Sequence, residues 1–137
     1  MTQEEKQLLL VELCARLPYK LKVKVPTLQE DDVFTLVAIC EDYITVMKDN
    51  GSCFDIYNSI EVFPFLRPMS SMTEEECKEL GELPAIIEHV AETLPNVPYY
   101  IEVVKPEQID YLNANHFDYR DLISKGLALE APKDMYK

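Results

Sequence analysis

The sequence predicts an α+β fold: an N-terminal helix, a strongly curved antiparallel β-meander with the geometry of an SH3-like partial barrel, then C-terminal helices with one added edge strand. Three observations carry this. Residues Leu21 to Leu66 run as short segments that alternate or cluster apolar side chains, the period of two that a half-buried strand needs. Turn signals, Asn50-Gly51 foremost, separate those segments at hairpin distances. On both sides of the block, capping residues precede apolar stripes at helical spacing.

Thr2 caps the first helix, and Glu5 three residues on closes a capping box. Leu10, Leu13, Cys14 and Leu17 supply the i, i+3, i+4, i+7 stripe, Leu9 and Val11 widen it, and Pro18 ends the helix. In the first strand Leu21, Val23 and Val25 face one way and Lys20, Lys22 and Lys24 the other. Val33 to Cys40 is a long apolar run expected to be the most buried strand. Tyr43 to Met47 and Cys53 to Tyr57 follow, joined through Asn50-Gly51 in a type I′ turn with positive φ at both central residues. After a turn at Asn58-Ser59, Pro64 keeps Ile60 to Leu66 from being a central strand.

Arg67 to Met72 lacks periodicity and reads as a connector. Thr73 then caps a helix with Glu76 in the capping-box position, and Glu74 and Glu75 favour its N-terminal dipole. A second helix runs from Pro84 to about Leu94, and Tyr99 to Val104 reads as a strand added at a sheet edge. Pro106 opens a helix with Ile109 and Leu112 inward, and a short helix covers Tyr119 to Leu127 with Gly126 as its C-cap. The tail from Ala131 is expected to be mobile. Neither half carries enough apolar surface alone, so residues 1–66, the connector 67–72 and residues 73–137 form one domain.

Composition narrows the function classes. A chain of 137 residues, 47% hydrophobic, suits one folded domain. No apolar run approaches the ~20 residues that cross a bilayer, and the acidic start lacks the basic region of a secretory signal, so a cytoplasmic protein is expected. Cys14, Cys40, Cys53 and Cys77 lack paired spacing, and Cys14, Cys40 and Cys53, each within an apolar pattern, read as small buried hydrophobes, with no metal site. None of the three glycines sits in a phosphate-cradling pattern, so no cofactor is expected. The net charge of −12 is concentrated: residues 31–66 hold seven acids against Lys48 alone, and residues 73–92 seven glutamates against Lys78 alone. Such a surface disfavours nucleic acid and suits a basic partner.

Chemistry-bearing residues gather at Asn113 to Asp121, which holds Asn113, Asn115, His116, Asp118, Tyr119, Arg120 and Asp121. His116 with Asp118 or Asp121 could form a general base. The structural reading is preferred: Asn115 and Asp118 as cap and turn residues between helices, and Arg120 as a surface charge. His89, between acidic neighbours, reads as a boundary residue, and Ser70 and Ser71 as linker. No catalytic residue is assigned. The candidate binding residues are Glu74, Glu75 and Glu76, with Asn113, Asn115, His116, Asp118, Tyr119 and Arg120.

The runs Arg67-Pro68-Met69-Ser70-Ser71-Met72-Thr73-Glu74-Glu75-Glu76 and Tyr111 to Ile123, with Lys125 to Pro132 and Glu4 to Leu10, resemble a group of small proteins encoded by phages and prophages of gut Bacteroidetes. The likeness covers most of the chain. The group has no established activity or site residues, so the resemblance implies only context, a phage or mobile-element accessory protein in a bacterial cytoplasm. Three functions follow as expectations. The first is a non-enzymatic protein that binds a host protein with a basic surface, in the manner of an inhibitor of host defence. The second is a binder or sequestering agent for signalling nucleotides, for which Lys20, Lys22, Lys24, Arg67 and Arg120 are the available cations. The third is an enzyme using His116 with a nearby carboxylate.

Overall fold

The computed structural model describes residues 2–28, 32–57, 62–81 and 106–136. It is an α+β fold with an N-terminal helix, a six-stranded mixed sheet that is not closed, and further helices among the described residues. Helix α1 (Gln3–Arg16) begins at the Thr2 capping box, where Glu5 N–H donates to Thr2 Oγ1 and Thr2 N–H to Glu5 Oε1. Strands β1 (Lys22–Lys24), β2 (Phe34–Ile39), β3 (Ile44–Met47), β4 (Cys53–Ile56) and β5 (Phe63–Leu66) follow, then α2 (Glu74–Leu80), α3 (Pro106–Ala114) and β6 (Leu129–Glu130). The order across the sheet is β4-β3-β2-β1-β5-β6; every pairing is antiparallel except β5 with β6. The expected helix Pro84–Leu94, the strand Tyr99–Val104 and His89 lie outside the described residues.

The meander follows its alternation. Leu21, Val23 and Val25 are fully buried, and with Phe34, Leu36, Ile44, Val46 and Ile56 they line the inner face. Leu9 and Leu13 of α1 pack there, as do Leu122, Leu127 and Ala128 from the C-terminal run, so one cluster joins both ends of the sequence. A smaller cluster of Leu80, Leu112, Phe117 and Tyr119 lies beside it.

Several expectations are corrected. The buried stripe of α1 is Leu9, Glu12, Leu13 and Arg16, rotated from the predicted one; Cys14 faces outward because two charged side chains neutralise each other inside. All four cysteines are exposed. Strand β2 is not buried throughout. A bulge between Leu36 and Ala38 shifts its register and leaves Val37 39% exposed, while Ile39 returns to the core side opposite Ile44. The β3–β4 turn has positive φ at Gly51 and not at Asn50. Gly51 N–H donates to the Lys48 carbonyl and Lys48 N–H to that of Ser52, the pattern of a three-residue loop with a glycine bulge rather than type I′. Asn50 contributes its side-chain oxygen, which accepts from Ser52 N–H.

Pro64 lies in an interior strand, between β1 and β6. It is tolerated because pairing with β6 begins only at Phe65, so Pro64 meets one ladder and not two. Residues 119–127 form successive turns instead of a helix, with Gly126 at φ 75°, and they deliver Leu129–Glu130 as the added strand. The tail is held at Tyr136, as shown below.

Candidate functional site

The densest polar cluster lies where α1, the end of β5 and the loop after α3 meet. Its foundation is Glu12 and Arg16, one turn apart on the buried stripe of α1 and both 0% exposed. Glu12 Oε1 accepts from Arg16 Nε, and Glu12 Oε2 accepts from Arg120 Nη1 at 3.0 Å. Arg16 also donates to the Phe117 carbonyl. Both guanidiniums lie against the Tyr119 ring, 5.5 Å and 4.7 Å from its centroid for Arg16 and Arg120. One buried carboxylate thus holds two cations, which is how charge becomes tolerable in a core. Arg120, read from sequence as a surface charge, is mostly buried in this group.

A second clamp is built on Arg67. Its guanidinium grips Glu76 in bidentate fashion, both contacts 2.7 Å, and lies 4.2 Å from the Phe117 ring centroid. Its backbone N–H donates to the His116 carbonyl at 2.7 Å and its carbonyl accepts from Asp118 N–H at 2.8 Å, extending β5 into a parallel bridge with Phe117. The guanidinium hydrogen bonds hold the Glu76 carboxyl at about 2, far below its ordinary value; Thr73, whose capping box Glu76 completes, acts in the same direction.

Between the clamps sits His116, 3% exposed and at φ 61°. Its ring stacks on Tyr136 at 3.9 Å between centroids and 23° between planes. Burial, then the positive field of Arg16 and Arg67, lowers its pKa to about 4 against the opposing hydrogen bond to the Tyr19 backbone, so the ring is neutral near pH 7. Tyr136 in turn reaches the sheet. Lys22 N–H donates to its hydroxyl at 3.0 Å, and the hydroxyl donates to the Phe65 carbonyl at 2.6 Å. The β1–β5 pairing stops at Val23 and Pro64, so this hydroxyl spans the gap where the two strands part.

The remaining residues of the run are spent internally. Asn113 Oδ1 accepts from Tyr119 O–H at 2.8 Å, and Asn115 Nδ2 donates to the Tyr111 carbonyl. The two Asp118 oxygens accept the backbone N–H groups of Leu122 and Ile123, while burial raises its pKa. The Asp118 carboxylate therefore organises the following turn and does not orient His116. Glu74 and Glu75 are exposed on α2, apart from this group, whereas Glu76 joins it through Arg67. Among the described residues, no group of three or more His, Cys, Asp or Glu side chains is placed to hold a metal ion, and no helix is long and apolar enough to cross a membrane.

No family model, curated protein or solved structure matches the chain. The geometry stands alone. Glu12, Arg16 and Tyr136 are not candidates from sequence, and Arg67 is one only as a cation for a nucleotide pocket. Glu12 and Arg16 carried one usable signal, an opposite-charge pair at i, i+4 directly beside the apolar stripe. Tyr136 carried none, because its partners are 71 and 114 residues away.

Proposed function

We propose that this protein is a non-enzymatic binding module, a phage or mobile-element accessory protein whose acidic exterior docks on a basic surface of a host protein in the bacterial cytoplasm. One observation supports this above the others: Asn113, Asp118, Tyr119 and Arg120 of the 113–121 run are turned inward and hydrogen-bonded within the protein, whereas acids such as Glu41, Asp42, Glu74 and Glu75 are exposed. A buried, neutral histidine with no carboxylate of the described residues on its ring is poorly placed to exchange protons with a substrate. Among the cations considered for a nucleotide pocket, Arg67 and Arg120 are committed to Glu76 and Glu12. The test is affinity capture from host lysate with the full chain as bait. The expected result is one reproducible basic partner, released by moderate salt and lost when the exposed acids Glu41, Asp42, Glu74 and Glu75 are together changed to their amides. Capture that ignores both salt and the charge change would overturn the reading.

A further inference from the structure

We infer that the open edge of β4 is the docking site and that its occupant is a basic, extended peptide segment of the partner, added as a seventh strand. The inference rests on the reading of the protein as a binder of basic partners and says where and how binding occurs. Among the described residues β4 is the terminal strand, paired on one side with β3. The hairpin register decides which backbone groups point outward. Lys48 N–H bonds Ser52 O, and the pairs Val46–Phe54 and Ile44–Ile56 continue that alternation. Cys53 and Asp55 occupy the intervening positions, so their N–H and C=O groups face away from β3, and Tyr57 follows in the same phase. Among the described residues no second strand takes these groups. Beside them Tyr57 is 74% exposed, its ring propped 5.6 Å from that of Tyr43.

Charge selects the occupant. Asp49 stands at one end of the edge, Asp55 in the middle, and Glu41 and Asp42 at the turn beside Tyr43 at the other end, all exposed. Among the described residues Lys48 is the cation of this corner; it is paired with Asp32 at 2.9 Å and lies over Phe34 and Phe54, 6.0 Å from each ring centroid. A second copy of the chain pairing edge to edge would set one Asp55-bearing edge against another, and like charges across strands repel. A strand with Lys or Arg at alternate positions meets the opposite field, with the Tyr57 ring available to a guanidinium.

The probe is a capped hexapeptide alternating arginine and valine, titrated into the full-length chain labelled with ¹⁵N. The expected result is a salt-sensitive shift and slowed hydrogen exchange of the Cys53, Asp55 and Tyr57 amides. Asp55→Lys should weaken binding about tenfold or more. Asp55→Pro should abolish it while keeping the β3 ladder, since the lost N–H points outward. If that variant misfolds, the lysine variant and the exchange pattern decide. Peptide binding that instead maps to α2, falls with Glu74→Gln and Glu75→Gln and ignores Asp55→Lys would overturn the edge site yet leave the proposed function standing. No salt-sensitive binding anywhere would overturn both, and concentration-dependent dimerisation through β4 would replace the partner with a second copy.

Discussion

At the scale of the residue, charge is the feature that most shapes this molecule's energetics. Glu12 lies fully buried against Arg16 and Arg120, and removing it leaves two cations without their counter-charge. Glu12→Leu is expected to destabilise by about 3–5 kcal/mol in urea denaturation. The double change Glu12→Leu with Arg16→Met should recover part of that, because the buried Arg16 charge leaves with its partner and only Arg120 still loses its Glu12 contact. His116 makes the second prediction. Its folded pKa of about 4 lies below the ordinary 6.5, so the unfolded chain binds the proton more readily. Its contribution to stability is complete above pH 6.5 and falls away as the pH drops toward 4, by about 3 kcal/mol in total. Asp118, whose pKa is raised by burial, works in the opposite sense, while Glu76 adds a further loss as the pH falls from 4.5 toward 2. Urea midpoints recorded through this range should slope for the wild type and flatten for His116→Asn, since asparagine tolerates the positive φ.

At the scale of the element, the sheet is completed by a side chain. Tyr136→Phe removes the hydroxyl that satisfies Lys22 N–H and Phe65 C=O, and should cost about 1–3 kcal/mol in thermal or urea denaturation. The elements also separate what sequence patterns can reveal from what they cannot. Local signals were readable: the Thr2 and Thr73 capping boxes, the Leu21-Val23-Val25 alternation, and Pro106 at a helix start all appear as expected. The buried stripe of α1 departs from the apolar pattern because hydrophobic periodicity assumes that a buried position is apolar, and Glu12 and Arg16 violate that assumption together. The exposed cysteines follow from the same rotation of α1 for Cys14; for Cys53 they follow from a place on an outer strand. Residues 119–127 have the apolar content of a helix, yet the Asp118 carboxylate captures the Leu122 and Ile123 amides and bends the chain into turns. The polar run 113–121 is contiguous in sequence, but its inward direction depends on Arg16 and Arg67, far away in sequence.

At the scale of the whole molecule, α1 and the C-terminal run pack on the same face of the sheet. We expect residues 1–70 expressed alone to give collapsed amide dispersion and no cooperative melt. That fragment lacks Leu122, Leu127 and Ala128 from the core and strands Arg16 without the Phe117 carbonyl. A well-dispersed, cooperatively melting fragment would instead show two domains.

The bridge from Tyr136 to Lys22 has a kinetic corollary. The β2–β3–β4 meander closes through neighbours a few residues apart and can form early, whereas the Lys22–Tyr136 link closes a loop of more than a hundred residues. Contacts of such long range are made late, after the folding barrier is crossed, and broken first when the barrier is approached from the native side. Tyr136→Phe should therefore leave the refolding rate nearly unchanged and carry almost all of its effect as faster unfolding, visible as a chevron whose unfolding limb alone is raised. This makes the tyrosine a setting for how long each molecule stays folded, independent of how quickly it gets there.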